Sequence, residues 1–262
     1  MRTRQLIILP AVAMLVLTGA WVAPAEPGGR EIIENVYHRP TGEDSTSELT
    51  MTLTNSRGDQ RVRRIKQFFK DYGKEEKTIM FFLAPADVRD TSFMNWSYDQ
   101  EGRDDDQWIY LPALRRVKRI SSDSKGDYFM GSDFTYDDLG DRHPSDDTHR
   151  LVRTEQEGGT RLYVVESVPR DPGYMYSKTV TWVEDERWIG RKKEFYDEDG
   201  DLLKVLTLQQ SEQIDGYWVL TRLEMHNVQK DHRTRMELQD VQMDRGVSDQ
   251  LFTERAMTRG TR

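Results

Sequence analysis

Apolar residues along this chain recur mainly at every second position, and the turns between the alternating runs are short. Leu49, Met51 and Leu53 point one way and Glu48, Thr50 and Thr52 the other, which is the two-residue period of a half-buried strand. A turn signal at 55–59 leads into a second strand over 61–70. Further strands are predicted over 78–83, 91–98, 107–111 and 115–120, and then over 151–157, 161–169, 178–184, 187–196, 202–210, 218–227 and 234–243. Three segments break the rhythm. Residues 30–38 put Ile32, Ile33, Val36 and Tyr37 at helical spacing ahead of Pro40, which predicts one short amphipathic helix. Residues 131–140 carry Phe134, Tyr136 and Leu139 between two glycines and predict a loop or a short helix. Residues 249–257 predict a last helical turn.

Alternating runs at this spacing predict a mainly β fold with a few helices (α+β). Its centre is one strongly curved antiparallel sheet of about eleven strands, an incomplete barrel lidded by short helices and loops. No fixed-period repeat and no low-complexity linker divides residues 30–257, so residues 26–262 are expected to form a single domain. A sheet of that size raises the question of what fills its concave face, since large barrels enclose cavities instead of packing solid.

The N-terminus reads differently. Arg2 and Arg4 precede an apolar run over 6–19, and Ala23-Pro24-Ala25 supplies a small-x-small pattern. This is the layout of a secretory signal peptide spanning residues 1–25, with cleavage expected after Ala25 and a periplasmic destination. An uncleaved membrane anchor is the alternative on length, and Pro27-Gly28-Gly29 favours cleavage.

Composition narrows the function. The 262 residues carry a formal net charge of -8, and loss of the two arginines in residues 1–25 leaves about -10. That balance argues against nucleic acid as a partner. The absence of cysteine removes disulfides, thiolate metal sites, a cysteine nucleophile and a lipidated N-terminal cysteine. Nucleophile elbows, zinc-protease motifs and phosphate-binding glycine loops are all missing, so no catalytic residue and no cofactor is expected. Acidic residues are plentiful, and no one carboxylate pair is singled out for glycosidase chemistry.

Two acidic or histidine-rich stretches invite a metal. Asp197, Asp199 and Asp201 faintly resemble a calcium loop, but its twelfth position would be Leu208, so a charged hairpin turn with Gly200 at positive φ is expected. His143 and His149, with Asp141, Asp146 and Asp147 between and beside them, are spaced six apart, which does not place both on one helical face. A solvated loop is expected there and no metal is assigned.

Two other features stand out. Arg115, Arg116, Lys118 and Arg119 put four cations into five residues of an acidic protein. They read either as the charged guard of an edge strand or as a contact for anionic head groups or a partner protein. Aromatic residues and methionines are concentrated nearby, between residues 81 and 136. Phe81, Leu83, Phe93, Met94, Trp96, Trp108, Tyr110, Phe134 and Tyr136 are the candidates for an apolar ligand cavity, although ordinary core is the simpler role for most of them. On that assignment, replacing Trp96 and Trp108 by alanine lowers acyl-probe uptake without unfolding the protein.

The run Trp108-Ile109-Tyr110-Leu111-Pro112-Ala113-Leu114-Arg115-Arg116-Val117-Lys118-Arg119-Ile120, followed by Gly131-Ser132-Asp133-Phe134-Thr135-Tyr136-Asp137-Asp138-Leu139, resembles a paired hallmark of the bacterial outer membrane lipoprotein-sorting proteins, relatives of the carriers LolA and LolB. The resemblance is sharp at 108–139 and extends over roughly residues 30–245. It implies an incomplete antiparallel barrel with a lidded apolar cavity, a cargo of lipid or lipoprotein acyl chains, transient membrane contact and a transporter partner of the resistance-nodulation-division type. It implies no catalytic residue. The missing cysteine near residue 25 departs from the membrane-anchored LolB pattern. The function expected is that of a periplasmic carrier with a lid at 131–140; the alternative is an accessory subunit of a transporter that carries nothing itself. A secreted hydrolase rests only on acids near an apolar groove.

Overall fold

In a computed structural model, which describes residues 26–260, the alternating runs become thirteen strands of one antiparallel sheet. They are β1 (Asp44–Thr54), β2 (Gln60–Asp71), β3 (Glu75–Ala84), β4 (Ser92–Tyr98), β5 (Asp106–Leu111), β6 (Arg116–Arg119), β7 (Asp147–Glu157), β8 (Thr160–Pro169), β9 (Lys178–Glu184), β10 (Ile189–Tyr196), β11 (Leu202–Ile214), β12 (Tyr217–Asn227) and β13 (His232–Met243). The order across the sheet is β6-β5-β4-β3-β2-β1-β13-β12-β11-β10-β9-β8-β7. Apart from the β1–β13 seam, each neighbour in the sheet is also the neighbour in sequence, so nearly every connection is a hairpin. The strand count exceeds the expected eleven or so. The barrel stays open, with β6 at one edge and β7 at the other. The signal peptide and its cleavage after Ala25 lie outside the described residues.

Curvature follows from what touches what. Phe93 on β4 and Phe195 on β10 lie seven places apart in the sheet, yet both belong to one contiguous buried cluster. The strands therefore curl around a shared interior, and register shifts in several of the pairings add the local twist that bulges bring.

Two helices flank the sheet. The first, α1 (Gly29–Tyr37), packs on β7 and β8, where Ile32 is fully buried against Tyr163, Val165 and Val183. Its first residue has to be glycine. A Cβ on Gly29 would sit 2.6 Å from the Leu151 backbone nitrogen and 2.7 Å from the Arg150 carbonyl carbon. The second helix, α2 (Glu254–Arg259), is capped by the Thr253 side chain, which accepts from the Ala256 N–H, and packs against β4 and β6. Among the described residues no helix is long and apolar enough to cross a membrane.

Candidate functional site

The interior face of the sheet is built from alternate residues of many strands. Leu49, Met51 and Leu53 of β1, Ile65 of β2, Phe82 of β3, Phe93 of β4, Met225 of β12 and Met236 of β13 are all buried there. Pairing in register brings them together: Met51 opposes Met236, Leu49 opposes Ile65, and Ile65 opposes Phe82. In most globular proteins regular secondary structure covers such a surface. Here the cover is the irregular segment 120–146 between β6 and β7, which contributes Phe129, Phe134, Met130, Tyr136 and Leu139 to the same cluster. Phe129 is wholly buried, its ring centroid 5.1 Å from that of Phe93 and 5.9 Å from that of Phe82. The tip is a tight turn in which the Phe129 N–H donates to the Phe134 carbonyl at 2.7 Å, while Met130 and Gly131 both take positive φ. The segment expected to be a lid thus lies inside the curved sheet, with its aromatic side chains filling it.

Polar contacts hold this plug in place. Lys204, fully buried on β11, donates to the Asp138 carboxylate and to the Asp133 carbonyl. The Thr234 hydroxyl of β13 donates to Asp133 Oδ2 at 2.7 Å and accepts the Asp133 N–H at 2.9 Å, and His232 Nδ1 reaches the same carboxylate oxygen at 2.8 Å. The Asn227 amide donates to the Tyr128 hydroxyl at 3.1 Å. From the 170–177 loop, Tyr176 donates to Asp138 at 3.0 Å and Tyr174 donates to Asp137. Burial, followed by the neighbouring carboxylates, pushes both phenols above their ordinary range, so they stay donors at any physiological pH. A cleft of about 610 Å³ opens beside the plug, with Lys125, Arg142, Arg170, Tyr174 and Met175 among its lining residues.

The nine aromatic and aliphatic candidates do not share one surface, which corrects the expectation of a single cavity. Phe93, Phe134 and Tyr136 lie in the interior cluster. Phe81, Met94, Trp96, Trp108 and Tyr110 lie in a second cluster on the opposite face, covered by Val247, Leu251, Phe252 and Met257 of the C-terminal segment. Leu83 is the unpaired residue of a bulge in β3, between Phe82 opposite Ile65 and Ala84 opposite Arg64, and belongs to neither cluster. The division follows from the strand period, because Phe81 and Phe82, or Phe93 and Met94, are neighbours in sequence and must point to opposite faces. Missing from the candidate set were the interior aliphatics Met51, Ile65, Met225 and Met236, whose only mark in sequence is alternation, and Lys204, which carries no mark at all.

The basic run forms edge strand β6 and the turn before it. Arg115 holds the left-handed conformation at the end of a short 3-10 turn, Leu114 is 63% exposed, and Arg119 pairs with Asp106. The calcium-like stretch is a hairpin turn in which the Asp201 N–H donates to Asp197 Oδ1 at 2.9 Å and Gly200 takes φ +85°. His149 has both ring nitrogens engaged, by Ser167 Oγ at 2.8 Å and the Pro144 carbonyl at 2.7 Å, and His143 bonds Ser145. Among the described residues no three His, Asp or Glu side chains converge as metal ligands.

Fold and interior together define an open, curled antiparallel sheet with an apolar inner face and an internal plug. Residues 74–259 match a family model described only as an uncharacterized protein. Among solved structures, a DUF1329 family protein from Desulfovibrio piger superposes with a TM-score of 0.81 at 31% identity, over 87% of this chain and 97% of its own. A domain described as a candidate outer membrane lipoprotein-sorting protein from Vibrio parahaemolyticus gives a TM-score of 0.81 at 33% identity, over 88% of this chain and 98% of its own. A LolA superfamily protein from Nitrosomonas europaea shares the fold, with a TM-score of 0.67 at 20% identity over 88% and 100% of the two chains. No curated protein sequence matches. The chain belongs to the family of the first two relatives, the DUF1329 and outer membrane lipoprotein-sorting proteins, and shares its fold with the LolA superfamily.

Proposed function

We propose that the protein is a periplasmic carrier that shelters an acyl chain, of a lipoprotein or a lipid, on the inner face of the sheet and passes it between membrane components. The observation that carries this reading is the nature of the cover. An apolar face spanning β1 to β4 and β10 to β13 is closed by an irregular insert anchored through polar contacts, not by a helix or a second sheet. Such an insert can be exchanged for cargo. Withdrawing Phe129, Phe134 and Tyr136 would vacate the volume of several side chains, and each methylene of a guest buried there gains about 0.8 kcal/mol. The Vibrio parahaemolyticus relative, described as a candidate lipoprotein-sorting domain, supports the same cargo class.

In this mechanism nothing is bonded or cleaved. A donor delivers the chain, the plug gives way, and an acceptor that binds the chain more tightly removes it. Arg115, Arg116, Lys118 and Arg119 form a cationic patch on an acidic protein, suited to transient contact with anionic head groups or to docking on an inner-membrane transporter of the resistance-nodulation-division type. Export by the 1–25 leader would place the protein in the right compartment.

The experiment is native purification of the mature chain, solvent extraction and mass spectrometry, together with titration of a fluorescent acyl probe. Co-purified lipid and saturable probe uptake are expected. Absence of both would overturn the carrier reading in favour of a transporter accessory subunit that carries nothing, a role favoured by one observation, namely that the chain's own side chains fill the inner face.

A further inference from the structure

Where α1 ends, beside the end of the insert, four carboxylates from separate parts of the chain gather around a cavity of about 170 Å³ and a smaller chamber of about 40 Å³ beside it. Glu76 comes from β3, Asp99 from the turn after β4, Asp105 from just before β5, and Asp141 from the end of the insert. Glu76, Asp99 and Asp141 line the larger space; Asp105 and Asp141 line the smaller. Asp99 meets only the His143 ring, at 3.5 Å, and Glu76, Asp105 and Asp141 have no ion-pair partner among the described residues. Arg103, Lys125 and Arg142 stand on the wall of the smaller chamber and Arg39, Lys74 and His38 on that of the larger, while Lys193 acts on Asp141 from beyond contact distance.

The second observation lies on the sheet beneath. Asn95 and Gln107 oppose one another in the β4–β5 ladder, 3% and 1% exposed, and the carbonyl oxygen of each side chain has no partner. Their orientation is fixed by what the amide nitrogens do. Asn95 Nδ2 donates to Ser97 Oγ at 2.8 Å and to Asp105 Oδ2 at 3.3 Å, and Gln107 Nε2 donates to the Tyr136 carbonyl at 2.8 Å. Gln107 also lines the smaller chamber. Buried acceptors without donors are costly, at about 1–3 kcal/mol each, and cations on the chamber wall are turned to other partners, Lys125 to Asp104 and Arg142 to Asp147.

Such a wall calls for N–H donors carrying positive charge. A bare metal ion fits poorly, since no three of these ligands converge on one point. We propose that this chamber is a binding site for an organic ammonium group, held by Asp105 and Asp141 with the Gln107 carbonyl accepting from it, while Glu76 shares Asp141 on the side of the larger space. The ammonium can belong to a free amine or to the ethanolamine head group of a lipid. The site lies outside the inner apolar face and its test uses no acyl probe, so its failure and that of the carrier reading are distinguishable.

The test is calorimetric titration of the mature protein at about pH 8, where the carboxylates are ionised, with putrescine, with lyso-phosphatidylethanolamine and with calcium. Putrescine is expected to bind saturably, and about ten-fold or more weaker to the Glu76→Gln/Asp141→Asn double variant. That variant removes repulsion and keeps shape, so it should fold; Glu75→Gln, on the same rim, serves as the control that changes little. Displacement of putrescine by lyso-phosphatidylethanolamine identifies the head group as the source, and its failure to compete identifies a free amine. Absence of putrescine binding, equal binding by the double variant, or calcium binding tighter than the amine would each overturn the proposal.

Discussion

Lys204 and Asp138 form an ion pair in which neither side chain reaches water, with side-chain exposures of 0% and 4%. One partner lies on β11, the other on the insert between β6 and β7, so the pair ties the plug to the sheet it fills. The Lys204 ammonium also donates to the Asp133 carbonyl, and the Asp138 carboxylate accepts the Thr135 N–H at 2.7 Å and the Tyr176 hydroxyl at 3.0 Å. Desolvating two charges is repaid only by geometry of this kind.

Breaking the pair from one side should therefore cost more than removing it altogether. Lys204→Ala strands the Asp138 carboxylate, and a loss of about 3–5 kcal/mol is expected in a urea titration. The Lys204→Met/Asp138→Leu double variant should recover part of that loss, since it still leaves the Thr135 N–H and the Tyr176 hydroxyl without their acceptor. The double variant also frees the plug from its charged tether, and in acyl-probe titrations it should bind at least as well as the wild-type chain.

A second prediction concerns the seat of α1. Because the Cβ of an alanine at position 29 would fall within 2.7 Å of β7 backbone atoms, no flexible side chain can move aside to accept it. Gly29→Ala should destabilise by about 1–3 kcal/mol, as overpacking does. Hydrogen exchange should show the loss concentrated in α1 and the edge of β7, with the β1–β13 seam unaffected.

How much of this was legible in the sequence depends on the range of the interaction. The hairpins were legible because a two-residue period and a turn signal are local, and all the predicted strand ranges reappear, most with shifted ends and 178–184 unchanged. The helix over 30–38 forms at 29–37. Where the aromatic candidates would face was legible only in part. Phe81 and Phe82 differ in face by alternation alone, but which face is interior is set by the curl of the sheet and the path of the insert. Lys204 sits among apolar neighbours in an ordinary strand, and its partner lies 66 residues away. The chamber of carboxylates likewise draws on four separate segments, a convergence that no local pattern announces.

The two faces make different demands on the aromatic residues. Trp96 and Trp108 pack edge to face at 5.3 Å beneath Phe252 and Met257, on the side away from the plug. Replacing both by alanine should destabilise the C-terminal segment and leave acyl-probe affinity within about two-fold of wild type, well under the 1.4 kcal/mol of a ten-fold change. Phe93→Ala lies on the inner face and should change that affinity as well as costing about 3–5 kcal/mol of stability. A double tryptophan variant that folds but takes up no probe would move the cargo site to the outer face.

The carboxylate chamber predicts the direction of the pH dependence. Burial, then repulsion from Asp141, Asp71, Asp105 and Asp99, pushes Glu76 up to about 7. Burial, then Asp105 and Asp99, pushes Asp141 up to about 7, against Lys193 and the Tyr37 hydroxyl, which pull it down. Burial raises Asp105 to about 6, against hydrogen bonds from the Asp141 N–H and the Asn95 amide. In the unfolded chain these groups titrate near about 4. Between the two limits the folded protein holds protons that the unfolded chain has released, so stability falls as pH rises. The contribution is fully present below about pH 4 and is lost as the groups ionise through 6 and 7. Thermal unfolding without added amine should accordingly show a higher Tm at pH 5 than at pH 8. Glu76→Gln/Asp141→Asn should flatten that slope by holding the two sites neutral throughout. A Tm that climbs from pH 5 to pH 8, or a double variant with the wild-type slope, would show that these carboxylates are solvated and ordinary.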